Sequence, residues 1–144
     1  MRDVGAMKRL LSTCVVALPL LVAASVALSP AEAQKRPLTM LDRLADGRWE
    51  LRIRGDRNQV ERICVHSGRS LIQLRHPEQA CDKLVVEDSD TSVTVQYTCR
   101  GRGYGRTHIR RESDNLIQVD SQGIAGGLPF EFSAEGRRIG DCPA

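Results

Sequence analysis

The stretch Thr91-Ser92-Val93-Thr94-Val95-Gln96-Tyr97-Thr98-Cys99 decides the fold. In an extended chain Val93, Val95, Tyr97 and Cys99 fall on one side, and Thr94, Gln96 and Thr98 on the other. Such period-two alternation marks a strand with one buried face. β-branched and aromatic residues suit that pleated, half-buried surface. The buried face ends in a cysteine, so this strand is also a candidate covalent anchor.

The pattern repeats outward in both directions. Toward the N-terminus, Arg48 to Arg54 sets Trp49, Leu51 and Ile53 against Arg48, Glu50, Arg52 and Arg54, with Trp49 as a core anchor. Gln59 to His66 returns as a hairpin after the turn Gly55-Asp56-Arg57-Asn58. Its alternation is less tidy: Val60, Arg62 and Cys64 share one face, Ile63 and Val65 the other, and a bulge near Arg62 is expected. Lys83 to Glu87 pairs with the organising strand around Asp88-Ser89-Asp90. Toward the C-terminus, Arg102 to Glu112 and Asn115 to Ser121 form a hairpin at Ser113-Asp114. Gln122 to Gly127 reads as a glycine-rich loop, and Leu128 to Arg138 as the last strand.

Two short helices complete the reading. One spans Thr39 to Leu44, capped by Thr39 and ended by Gly47. The other spans Ser67 to Arg75, capped by Ser67 or Ser70 and stopped by Pro77. The class is therefore mainly all-β: an antiparallel meander of about seven strands, barrel-like or a sandwich, with the barrel-like sheet favoured. Few aromatic residues lie in the last strands, so the core is mainly aliphatic.

Residues 1–33 read as an address. Arg2, Lys8 and Arg9 precede an apolar run from Leu10 to Leu28, which ends in Ser29-Pro30-Ala31-Glu32-Ala33. That is the anatomy of a secretory signal peptide cut after Ala33. The A-x-A end and Pro30 favour cleavage over a retained anchor, so no membrane span is expected afterwards. Cys14 sits early in the apolar run, not at its end, and goes with the signal peptide. Residues 34–45 form an N-terminal leader and 46–144 a single domain of about 100 residues, enough for a modest core. Periplasmic or secreted localisation follows.

Four cysteines remain: Cys64, Cys81, Cys99 and Cys142. An even number in a small exported domain implies two disulfides, and three connectivities are open. The favoured pairs are Cys64–Cys81, closing a local excursion, and Cys99–Cys142, tying the chain end to the organising strand. The basic residues of the chain after residue 33 are arginines except Lys35 and Lys83. Arginine pairs bidentately with phosphate and carboxylate, so an anionic partner is open.

Arg100-Gly101-Arg102-Gly103-Tyr104-Gly105-Arg106 is the most distinctive motif. No strand-loop-helix context and no Gly-Lys-Ser/Thr follow, so it is not a phosphate loop. Arg102 to Gly105 matches the opening of an RNA-recognition signature, but Arg106, Thr107 and His108 break it, and no nucleic-acid partner is expected. The glycines fit one face of a strand that bends or packs closely. The other face carries Arg102, Tyr104, Arg106, His108 and Arg110. Arg102, Tyr104, Arg106 and Arg110 are the candidate ligand-binding residues, for phosphate or sulfate groups of an anionic lipid or glycan. Their alternative is a solvated face paired with neighbouring acids. His66, His76 and His108 sit on different elements, with no H-x-x-x-H, H-E-x-x-H or C-x-x-C spacing, so no metal site and no cofactor are expected. No G-x-S-x-G elbow occurs and no carboxylate pair stands out, so no catalytic residues are assigned and the chain reads as non-enzymatic.

Several motifs occur in a fixed order: Gly47-Arg48-Trp49-Glu50, Ile63-Cys64-Val65 before a short helix, Cys81, the Val93 to Gly101 strand, and the terminal Gly136 to Cys142. This order, with the four cysteines, resembles the exported bacterial family called domain of unknown function 3617. The resemblance spans most of Asp46 to Cys142; the chain lacks the Met- and Gly-rich turns common in that family. It implies a periplasmic or secreted β domain and no assigned activity. The function expected is a binding module for a small lipophilic or anionic envelope molecule. The alternative is an inhibitor of an envelope protein, since small disulfide-bonded β domains also resemble periplasmic lysozyme inhibitors; Gln122 to Gly127 would then enter a target cleft.

Overall fold

The computed structural model describes residues 38–55 and 59–143. The expected signal peptide with Cys14, the leader up to residue 37 and the hairpin tip at 56–58 lie outside the described residues. Helix α1 (Thr39–Asp42) comes first. The strands are β1 (Gly47–Ile53), β2 (Val60–Val65), β3 (Cys81–Asp88), β4 (Ser92–Cys99), β5 (Gly103–Ser113), β6 (Leu116–Ala125) and β7 (Leu128–Gly140). A 3₁₀ segment, Gly68–Gln73, lies between β2 and β3.

All seven strands form one antiparallel sheet in the order β2-β1-β7-β6-β5-β4-β3. Strands β3 to β7 are a continuous meander, and the first hairpin joins it through β1 against β7. The barrel-like closure is corrected: β2 and β3 are edges at opposite ends of an open sheet. The physical reason lies in the connection between them. Instead of bringing β3 beside β2, the 3₁₀ segment packs over the inner face, touching both β2 and β5. Its Leu71 and Ile72 are buried there with Met40 and Leu41 of α1, filling space that a closing edge would otherwise cover. The Ser67 hydroxyl caps this segment, accepting from the Arg69 amide at 3.3 Å.

The inner face follows the alternation. Val93, Val95, Tyr97 and Cys99 are buried, and Trp49 is fully buried with its indole N–H donating to the Ala45 carbonyl at 3.0 Å. Neighbouring β1, β5, β6 and β7 add Leu51, Ile109, Ile117, Val119, Phe132 and Ala134, a mainly aliphatic core.

Four local expectations are revised. The bulge near Arg62 is absent: β1 and β2 pair without a register shift, with Val65 inward and Cys64 outward. Thr39 is not the helix cap; Leu38 holds that place at φ 52°, itself buried, and its amide donates to Asp88 Oδ2 at 3.1 Å. Packing of Leu38 fixes the entry instead of a hydroxyl. Gln122 to Ala125 is strand, not loop, and only Gly126 and Gly127 turn, both at the positive φ that side chains resist. The last strand runs on to Gly140.

The disulfides are Cys64–Cys142 and Cys81–Cys99, so the favoured pairing is also corrected. Cys81 opens β3 directly opposite Cys99, which closes β4, with Cα atoms 4.3 Å apart. Arg48 of β1 pairs with Cys64 on one side and Gly140 on the other. The chain end therefore crosses the start of β1 and brings Cys142 to β2, at a Cα separation of 5.5 Å. Cys64 and Cys81 lie on strands at opposite edges, and no local excursion joins them.

Candidate functional site

The outer face of β4 to β7 is built in rows that run across the sheet. One row is Gln96, Arg106, Gln122 and Glu131; the next is Thr98, Tyr104, Ile124 and Pro129. Between them lie Gly105 and Gly123, also directly paired. Bare backbone between two rows of side chains leaves an open hollow of about 530 Å³, with Tyr104 and Arg106 on its β5 side and Gln122, Pro129 and Glu131 beyond.

The glycines are required from the inner side. A Cβ at Gly105 would strike the hydroxyl and ring of buried Tyr97, and one at Gly123 would strike the Tyr104 carbonyl. This bears out close packing as the purpose of Gly105. Tyr97 is held in turn by buried His76, whose Nδ1 lies 3.2 Å from the Tyr97 hydroxyl and whose Nε2 lies 3.2 Å from the Arg102 carbonyl. Burial pushes the Tyr97 hydroxyl pKa up, and the charge of Arg75 opposes that.

Along the same face a second hollow of about 230 Å³ shares Arg106, Gln122 and Glu131 and adds His108, Asp120 and Ser133. Thr94 donates its one hydroxyl proton to Glu87 at 3.2 Å, so the 2.9 Å contact with His108 Nδ1 must be accepted from that ring. Hydrogen bonds from Ser92 and then Thr94 hold the Glu87 carboxyl below its ordinary range, with the charges of His108 and Arg106 acting in the same direction.

The four sequence-predicted ligand residues separate. Tyr104, half exposed, and Arg106 line the main hollow. Among the described residues the Arg106 side chain makes no hydrogen bond or ion pair, though its charge acts on Glu87. Arg110 instead pairs with Glu112 at 2.8 Å, the solvated alternative. Arg102 precedes β5 and lines a different hollow of about 250 Å³ with Arg75, His76 and Gly126. Gln96, Gln122, Pro129 and Glu131 escaped sequence reasoning, because only the register across four strands places them beside Arg106; their outward alternation was the one available signal. The loop assigned to a target cleft is reduced to the Gly126-Gly127 turn.

At the other end of the sheet, Glu50 of β1 is buried on the outer side between Arg52 at 2.9 Å and Arg62 at 3.0 Å. The Arg52 hydrogen bond first, then Arg62, holds its carboxyl low against the opposing effect of burial. This is a structural clasp of the edge strand. Among the described residues no helix is long and apolar enough to cross a membrane. No family model, curated protein or solved structure matches the chain.

Proposed function

We propose that this chain is an exported, non-enzymatic binding module whose outer-face hollow takes a small amphipathic anion of the cell envelope. The observation that carries the reading is Arg106: an arginine whose side chain makes no hydrogen bond or ion pair among the described residues, beside half-exposed Tyr104, over a hollow whose lining includes the apolar Pro129 and Phe130. A guanidinium takes a phosphate or carboxylate head group bidentately. Gln96 and Gln122 offer further hydrogen bonds in the same row, and the tyrosine ring and Pro129 accept a short apolar tail. Export is supported by the signal-peptide anatomy of residues 1–33 and by two disulfides, which persist in oxidising compartments.

Calorimetric titration with monododecyl phosphate below its micelle concentration tests this. Wild type is expected to bind, and Arg106→Ala to bind roughly 10- to 100-fold more weakly, the worth of one charge-assisted contact. Arg110→Ala should bind like wild type. Equal affinity in wild type and Arg106→Ala sinks the reading, as does the absence of any binding together with a bare chain mass in native mass spectrometry of periplasm-purified protein.

A further inference from the structure

Among the described residues the Cys64–Cys142 disulfide has a donor neighbour that the Cys81–Cys99 disulfide lacks. Val65 is fully buried at the end of β2, so Cys64 and His66, on either side of it, are exposed. His66 Nε2 lies 3.4 Å from Cys64 Sγ. The donor atoms of Cys64, His66 and Cys142 all lie within 4.8 Å of one another, the one such group of three among the described residues. Among the described residues Cys81 and Cys99 have no third donor of this kind, and Cys99 is buried.

We propose that the reduced form of this cluster is a binding site for a thiophilic d¹⁰ cation of the Zn²⁺ type, which the disulfide covers when oxidised. Two thiolates and one imidazole are a Cys₂His donor set, three protein ligands with a fourth position open. Metal–sulfur and metal–nitrogen bonds of about 2.3 and 2.0 Å place tetrahedral ligand atoms roughly 3.5 Å apart. His66 and Cys64 already stand at that spacing; the two sulfurs must part, and Cys142, within 4.8 Å of His66, must take up the same spacing to it.

The chemistry balances with a dithiol as reductant. Two electrons and two protons pass from the dithiol, which becomes a disulfide; the Cys64–Cys142 bond breaks and two thiols form. The cation then displaces both protons, making two metal–sulfur bonds and one to His66. Reduction does not scatter the ligands. Cys64 is held by pairing with β1, and the C-terminal segment by Arg138, which donates to the Asp46 carbonyl at 2.6 Å and to Asp141 at 2.5 Å. The signal in the sequence is the Cys64-Val65-His66 spacing, which puts both donors on one side of a strand; the third donor is visible only once β1 is seen between β2 and β7. This inference is independent of the ligand hollow.

The test is metal titration of the whole mature protein, reduced with a phosphine under anaerobic conditions, with Zn²⁺ followed by competition against a chromophoric chelator. Reduced wild type should bind one equivalent and oxidised wild type none. Reduced Cys81→Ser/Cys99→Ser should keep that equivalent, Cys64→Ser/Cys142→Ser should lose it, and His66→Ala should bind at least tenfold more weakly. If the Cys81→Ser/Cys99→Ser chain does not fold, reduced wild type against Cys64→Ser/Cys142→Ser decides the same point. Loss of binding to Cys64→Ser/Cys142→Ser alone, with His66→Ala unchanged, overturns the three-ligand site. Binding that survives in Cys64→Ser/Cys142→Ser overturns it too, as does a reduced chain that unfolds and is not refolded by the cation.

Discussion

Gly105→Ala probes the wall between hollow and core. Gly105 sits mid-strand without positive φ, so the alanine backbone itself is unstrained. The added methyl points inward, onto the hydroxyl and ring of Tyr97, which is 1% exposed. Overpacking of this kind costs about 1–3 kcal/mol. If Tyr97 yields, its contact with His76 is also lost, a further net ~1 kcal/mol, with a buried nitrogen left unpaired. The sum, about 2–4 kcal/mol, is a large share of the roughly 5–15 kcal/mol of an ordinary domain. At about 4–8 °C per kcal/mol the melting temperature should fall by more than about 8 °C.

Urea melts with disulfides intact give the free energies directly. The sharper assay is a double-mutant cycle with Tyr97→Val, which removes the ring that the methyl strikes. The two changes should then be sub-additive by about 1–3 kcal/mol, as for residues in contact. A Gly105→Ala chain within about 0.5 kcal/mol of wild type would refute the reasoning, as would strict additivity in the cycle.

Other tests address the edge clasp and the tether of the 3₁₀ segment. The Glu50 carboxyl is held below its ordinary value of 4.5, so its stabilising effect is present above that pH and is lost as pH falls through the lowered native value. Glu50→Gln should therefore be less stable near neutral pH and converge on wild type in acid; parallel urea-midpoint curves would contradict this. Thr107 is buried, donating to the Ile72 carbonyl at 2.6 Å and accepting from Ser121 at 2.8 Å. Thr107→Val should cost about 1–3 kcal/mol by leaving that carbonyl unpaired, and hydrogen exchange should rise first in residues 68–73. Protection there equal to wild type would show that packing alone holds the segment.

Much of the fold was legible because strand alternation is a local property. Each residue of β4 declares its face from its neighbours alone, and the same holds for Trp49, Leu51 and Ile53. The outward face of Tyr104 and Arg106 was legible for the same reason. The loop reading of Gln122 to Gly127 failed because glycine has two uses. At Gly126 and Gly127 it permits a turn, whereas at Gly123 it lets the β5 backbone approach. Composition does not distinguish those uses; the neighbouring strand does.

By itself the sequence determined which side of β1, β4 and β5 faces the core, the presence of four cysteines in the domain, and the outward placement of a tyrosine and arginines on β5. These follow from a period of two along a single strand. Only the tertiary structure decided which cysteines pair, that Arg106 stands beside Gln122 and Glu131, and that His66 meets two sulfurs. The second follows from the register of the β5-β6-β7 meander; the first and third turn on one event: β1 pairs with β7, which sends β2 and β3 to opposite edges. That pairing joins residues some ninety positions apart, and it is set by how the buried faces fit together, which no local pattern encodes.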